Sequence, residues 1–409
     1  MAVGLRLALA IGLVALSSSV WAAKKVDLDY QVRLLPQSGQ AEVRLTLAQG
    51  SAVRSLDFDL GDGNRYSDFK ADGNWQLTPG KTTRGIWRPA ADKASLTYRV
   101  RVSHNRKNGS FETRMTPAWA LMRGDDLVPA ARLDQQDGIE LVARLEFELP
   151  EGWNSVETAW PRIGKNKFRI DNVSRLFDRP TGWMLAGHLG SRRTRLGETE
   201  VTVASPRGQG MHRMDVLTLL TFVWPQVQAV FPRHPGKLLI VGANDPMWRG
   251  SLAARESIYL NTRLPLVSES GSSALVRELA QLLGRVNDAQ RSDWISEGLA
   301  EYYAVELVRR AGGMSDERYE NLHRKMVKVS QKVTTLRGAQ ASPAQVAKAV
   351  LLLQELDREI RLKTRNKRSL DDVMRGAMRL ERVDTKEFVQ LAESVIGESS
   401  RVLDTELLQ

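Results

Sequence analysis

The sequence predicts an α+β protein: an N-terminal antiparallel β-sandwich region followed by a mostly helical domain with a small β-layer. Three observations carry this. Apolar residues recur with a period of two from Val26 to about Thr202, the pattern changes around residues 205–215, and from Ser272 onward nearly every segment has a period near 3.6. A chain of 409 residues has room for two or three full-sized cores at roughly 100–200 residues per domain. The expected division is 1–22 as a leader, 23–205 as the β-sandwich domain and 206–409 as the helical domain.

The leader comes first. "MAVGLRLALAIGLVALSSSVWAAKK" has one early cation, Arg6, an apolar run from Leu7 to Leu16, and small residues Val20 and Ala22 three and one positions before an expected cut after Ala22. This is the layout of a secretory signal, and the run is too short to cross a hydrocarbon core of roughly 30 Å. No later stretch approaches about 18 apolar residues, so the mature chain is expected to have no transmembrane segment and to be periplasmic or secreted. Cleavage removes only Arg6 among the charges and takes the formal net charge from +11 to +10. The chain has no cysteine. Disulfides, thiol chemistry, Cys-ligated metals and a lipidated N-terminal cysteine are therefore excluded.

The strands follow from alternation. "VDLDYQVRLL" places Val26, Leu28, Tyr30, Val32 and Leu34 on one face, and the same pattern returns in "SLTYRVRV" (Leu96 to Val102) and "IELVARLEFELP" (Leu141 to Leu149). Turn chemistry such as "GDGN" at 61–64 and "PEGWN" at 150–154 separates the runs. Several short half-buried strands imply an antiparallel sandwich.

Beyond "SPRGQGMHRMD" (205–215), residues Met214 to Phe231 read as a helix, and "KLLIVGAN" and "ESIYLN" read as two strands. Helix stops stand at Gly284 and at Gly312–Gly313, and "SLDD" (369–372) offers a Ser N-cap with an acid three residues on. The pI of about 9.9 admits an anionic partner. The densest cationic run, "RLKTRNKR" from Arg361 to Arg368, has no aromatic interleaving and reads as a solvated loop or an envelope-facing patch. No nucleic-acid partner is expected, and a peripheral envelope contact stands as an alternative to the solvated loop.

The helix beginning "SALVRELAQLL" (273–283) carries the functional question. Leu275, Leu279, Leu282 and Leu283 form its apolar stripe, and Arg277, Glu278 and Gln281 share the other side. Residues four apart lie one turn above each other, so side chains 277 and 281 converge. A second helix, "DWISEGLAEYYAVELVRR" (293–310), brings Glu297 and Glu301 one turn apart. Arg277, Glu278 and Gln281 also fit the wet face of an amphipathic helix. Tyr302 and Tyr303 are either core or substrate-facing, and Glu301 is a surface carboxylate or a partner of the site.

This pair, an "ExxQ" helix followed by "W-x-x-E-G-x-A-E-Y-Y", resembles the two-helix core of the gluzincin metallopeptidases, in particular the glycyl aminopeptidase-like group with its β-rich N-terminal region. The stretch "DPMWRGSLAARESIYL" (245–260) is similar to the substrate-edge strand before the zinc helix, and "RLFDRPTGWMLAGHLGSRR" and "ALMRGDDLVPAA" are similar to segments of exported bacterial relatives. The resemblance covers most of the mature chain. It implies a thermolysin-like helical domain, with Glu278 at the general-base position of H-E-x-x-H, Arg277 and Gln281 where the two histidine ligands would stand, and Glu297 at the third ligand. Gly250, Ser251, Tyr302 and Tyr303 are the implied substrate-side residues.

No other metal site compensates in the sequence. The histidines, His104, His188, His212, His234 and His323, include no two that lie three to five residues apart. Zinc lowers the pKa of bound water from about 15.7 to about 7, so without it Glu278 has neither an activated nucleophile nor a stabilised oxyanion to work with. Arg277 is expected to occupy the vacated place and pair with Glu297, with Gln281 bonding in the same pocket. No cofactor is expected. The leading expectation is an exported, degenerate metallopeptidase that binds a peptide or protein in the cleft between the strand at Ser251 and the Glu278 helix. The alternatives are an active zinc aminopeptidase with an atypical metal site or displaced register, and an envelope-binding basic protein. The remaining signatures are weak: "SDFK" (67–70) matches S-x-x-K by chance spacing, and "DFDLGDGN" lacks calcium-loop spacing.

Overall fold

The structure, a computed structural model, describes residues 23–171 and 177–409; the expected leader and its cut lie outside them. The alternating segments become strands as expected. A six-stranded sheet has the order Lys167–Ile170, Ile139–Glu148, Lys24–Leu35, Gln40–Leu47, Ala94–Arg101, Tyr66–Ala71. It packs on a four-stranded sheet of Ala131–Gln135, Val53–Asp59, Arg84–Pro89 and Gly73–Thr78. Leu28, Tyr30, Val43, Leu45 and Leu96 of the first meet Leu56, Phe58 and Trp87 of the second in one core. Within these two sheets one pairing departs from the antiparallel rule: Lys24–Leu35 lies parallel to Ile139–Glu148.

A third sheet runs Ser155–Thr158, Trp183–Gly187, Trp119–Arg123, Phe111–Met115, His104–Asn105, and it is buried on both faces. Ala120, Met122, Met184 and Ala186 point into the sandwich core. Their neighbours Trp119, Leu121, Trp183 and Leu185 point the other way, onto Leu239, Val241 and Tyr259. Those last residues belong to a fourth sheet, ordered Leu189–Leu196, Thr199–Pro206, Lys237–Val241, Ser257–Leu260, Ser251–Ala254. Its first hairpin lies ahead of residue 206 but is hydrogen-bonded into the strands that follow. The opposite face of this sheet, with Val201, Val203, Leu238, Ile240 and Ile258, packs on the helices.

The helices are α1 (Gly124–Leu127), α2 (Arg213–Val230), α3 (Ala274–Gly284), α4 (Trp294–Arg310), α5 (Asp316–Ser330), α6 (Pro343–Lys363), α7 (Leu370–Ala377) and α8 (Thr385–Ile396). Ser273 caps α3 by accepting from the Val276 amide at 3.3 Å. The Ser369 cap of α7 forms a reciprocal box with Asp372. At the end of α3 the left-handed residue is Arg285 (φ +47°), not glycine. Gly284 instead leaves room for the Met374 methyl, which a Cβ there would meet at 2.4 Å and push aside.

The cationic run Arg361 to Arg368 is not a free loop. Arg361 and Lys363 lie on α6, where Arg361 pairs with Asp357 at 2.7 Å and Lys363 with Glu359 at 3.0 Å and Glu398 at 3.1 Å; Arg368 reaches Asp372 at 3.1 Å.

Candidate functional site

The site forms where α3, α4 and the edge strand Ser251–Ala254 meet. Gly298 sets the position of α4: a Cβ there would fall 2.8 Å from Ala349 Cβ, so α4 approaches α6 closely only with glycine at this place. Trp294 anchors the start of α4, its indole donating to Thr385 Oγ1 at 3.1 Å.

Arg277 stands at the centre. Its Nη2 donates to Glu297 and its Nη1 to Glu278 Oε1 at 3.2 Å, while its Nε lies 3.4 Å from Glu301 Oε2. One guanidinium thus faces three carboxylates on two helices, using a donor fork suited to this purpose. Gln281 donates its amide to Glu297 Oε1 at 3.1 Å, and Ser272 donates to Glu301 Oε1 at 2.7 Å. The expected Arg277–Glu297 pair and the Gln281 bond are both present.

Glu278 is 2% exposed, so the wet-face reading of this residue does not hold. Its carboxylate turns toward the edge strand. Oε1 accepts from Ser251 Oγ at 3.0 Å as well as from Arg277, and Oε2 accepts from the Ala253 amide at 2.7 Å. Gly250 precedes this contact, and a Cβ on it would meet the Trp248 ring at 2.2 Å. Burial pushes the Glu297 carboxyl above the usual range, and Asp293 and Glu278 add to the rise, while Arg277 and Gln281 oppose it.

Two expected residues point elsewhere. Tyr302 and Tyr303 are both buried in the helical core, so the substrate-facing role is corrected. Tyr303 donates to Asp371 Oδ1 at 3.0 Å, and Tyr302 lines a separate cavity of about 410 Å³ with Glu306, His323 and Gln354. Aromatic residues at helical spacing fill the interior here for the ordinary reason that two large apolar rings are best removed from water.

Residues that the sequence did not single out complete the arrangement. The Ala253 amide and Ser272 carry no motif, because a backbone donor and a lone serine have no sequence signature. Asp288 accepts from the Ser296 amide at 3.1 Å and from its hydroxyl, closing the first turn of α4 from outside the helix. Burial pushes its pKa up to about 6, against the lowering effect of Ser296.

The residues present do not fit the zinc ion that such a helix pair would hold. Arg277 is permanently protonated and offers no lone pair. The Gln281 amide nitrogen donates to Glu297, whose two oxygens are thereby both engaged. Among the described residues no group of three or more His, Cys, Asp or Glu side chains is arranged to hold a metal ion. Glu278 accepts three hydrogen bonds, two at Oε1 and one at Oε2, which fill most of the roughly four lone-pair sites of a carboxylate.

Solved structures share this fold. The chain is similar to an aminopeptidase N family protein from Idiomarina loihiensis, with 14% identity over 91% of this chain and 71% of that one and a TM-score of 0.66. It is also similar to the M1 zinc metallopeptidase of Deinococcus radiodurans bound to a Tyr-Ser-Ala substrate, with 14% identity, 94% and 92% coverage and a TM-score of 0.59. Native leukotriene A4 hydrolase from Saccharomyces cerevisiae matches at 14% identity, 94% and 66% coverage and a TM-score of 0.57. No family model and no curated protein matches the sequence. The chain therefore shares the fold of these aminopeptidase N family, M1 metallopeptidase and leukotriene A4 hydrolase structures. Within that fold it carries a guanidinium and an amide at the two places where the resemblance puts histidine ligands.

Proposed function

We propose that this chain is a non-catalytic member of a peptidase-like fold, retained to bind a peptide or protein segment beside the strand Ser251–Ala254. The single observation that supports this most is Arg277, which holds Glu278, Glu297 and Glu301 together as a cation with no coordination chemistry. The strand Ser251–Ala254 is the last of its sheet, and a sheet edge is a common docking line for extended peptide; here its Ala253 amide is held by Glu278, which a docking peptide would have to displace or leave in place. The expected leader places the protein in the periplasm or outside the cell, and no helix of the described residues is long and apolar enough to cross a membrane. The test is a tripeptide and tetrapeptide library, including Tyr-Ser-Ala, measured by calorimetry and mass spectrometry with and without chelator. Binding that survives chelator with no cleavage is expected. Cleavage of N-terminal residues that stops on adding chelator would instead establish the active zinc reading, and a library with no binder would remove the peptide-binding reading.

A further inference from the structure

The cationic surface with the fewest acidic partners lies elsewhere than in the run richest in basic residues. Residues 321–354 contain Arg324, Lys325, Lys328, Lys332, Arg337 and Lys348 and no Asp or Glu, although the chain as a whole carries 48 acids in 409 residues. Arg324 has Glu320 at 3.8 Å. Among the described residues no side-chain ion pair reaches Lys325, Lys328, Lys332 or Lys348. In the Arg361 to Arg368 run, by contrast, three of the cations are neutralised by acids of the same or neighbouring helices.

The placement of these groups on α5 narrows the partner. Only Leu322, Met326 and Ser330 of this helix are buried. Arg324, Lys328 and Lys332 are spaced four apart and stand along the opposite, exposed side, in the helix and the turn that continues it. Arg324 and Lys328 repel mildly at this spacing, Glu320 offsets Arg324 from the preceding turn, and an external anion would relieve the rest. Val327 and Val329 are 43% and 50% exposed and flank this stripe. A convex face with a cationic stripe and small apolar flanks matches a lipid headgroup layer, where lysine stems lie along the interface and short apolar side chains enter it. Single-stranded nucleic acid would instead call for aromatic platforms, and none lies on this face of α5.

We propose that the exposed face of α5 and the loop after it dock this protein on an anionic lipid surface. The experiment is co-sedimentation of the full chain with vesicles containing phosphatidylglycerol and with vesicles of phosphatidylcholine alone, across a salt series. Binding to the anionic vesicles only, falling steeply with salt, is expected. Arg324→Gln, Lys328→Gln and Lys332→Gln together keep good helix formers on an exposed face and should weaken binding on the order of 100-fold. Val327→Ser with Val329→Ser should weaken it at unchanged charge. Lys367→Gln, Arg379→Gln and Arg382→Gln together remove the same charge from exposed sites elsewhere and should leave binding close to that of the parent. The proposal is overturned if anionic vesicles are not retained, as for an acidic protein partner, if neutral vesicles bind equally, or if the second charge triple weakens binding as much as the first.

Discussion

Arg277 turns a cluster that would be self-repelling into one that holds two helices and a strand together. Its side chain is 26% exposed and that of Glu297 28%, so the ion pair is partly screened and less costly to desolvate than a fully buried one. Removing the cation alone leaves three carboxylates facing each other. Arg277→Met, which keeps length and loses charge, is therefore expected to destabilise the protein by roughly 2–4 kcal/mol at pH 7, read by urea unfolding. The deficit should shrink toward pH 4 as Glu297, whose pKa is already raised by burial, takes up a proton. Ser251→Ala removes one of three donors to Glu278 and is expected to cost about 1 kcal/mol. A larger loss for Ser251→Ala than for Arg277→Met would show that the strand contact, not the guanidinium, organises the site. The convergence of Arg277 and Gln281 was legible because helical spacing puts them one turn apart, whereas the Arg277–Glu297 pair was legible only through the resemblance, which puts both residues at ligand positions of one site. The turn of Glu278 toward the strand was not, because it depends on where a tertiary neighbour places its amide.

At the scale of elements, α4 begins with an acid held outside its own first turn. Asp288 accepts from the Ser296 amide and hydroxyl, supplying a cap that Asp293 does not provide through its side chain. Its folded pKa is about 6 against an ordinary 3.8, so between these values the folded protein retains a proton that the unfolded chain has lost. The stabilising contribution of that proton is complete below about pH 3.8 and is lost as pH rises through about 6. Asp288→Asn keeps an acceptor for the Ser296 amide while removing the titration. Its stability, followed by thermal melts, should fall less than that of the parent between pH 4 and 6; identical profiles would contradict the assignment. Element boundaries were partly legible: Ser369 caps α7 as its spacing to Asp372 implies, whereas the Ser273 cap of α3 has no acid three residues on and appears only in the structure. α3 ends at Gly284 with the left-handed residue one position later, at Arg285, while Gly284 itself packs against Met374. That distinction is a matter of neighbours, which periodicity does not carry.

Across the whole molecule, the third sheet joins the two halves. "WALM" and "WMLA" are apolar at every position because each strand is buried on both faces, one toward the sandwich and one toward the fourth sheet. Trp183 crosses this seam: its indole donates to the Leu252 carbonyl at 2.9 Å, and its amide donates to Ser257 Oγ at 2.8 Å. Trp183→Ala is expected to cost about 3–5 kcal/mol and to lower both the near-UV and far-UV transitions together, since the seam couples the sheets on either side. Separate transitions in the parent protein would contradict that coupling. The alternating pattern was sufficient to read a β-rich half, whereas the parallel pairing of Lys24–Leu35 with Ile139–Glu148 depends on a contact between segments more than a hundred residues apart. A fold stabilised in this way, with an arginine where the resemblance puts a metal ligand, should not need an ion. The most direct test is the metal content of the purified protein after equilibration with excess zinc and removal of free ions. The account predicts no stoichiometric zinc in the parent chain and its appearance only when Arg277→His and Gln281→His are introduced together; one tightly held zinc per unaltered chain, lost when Glu297 is replaced, would contradict it.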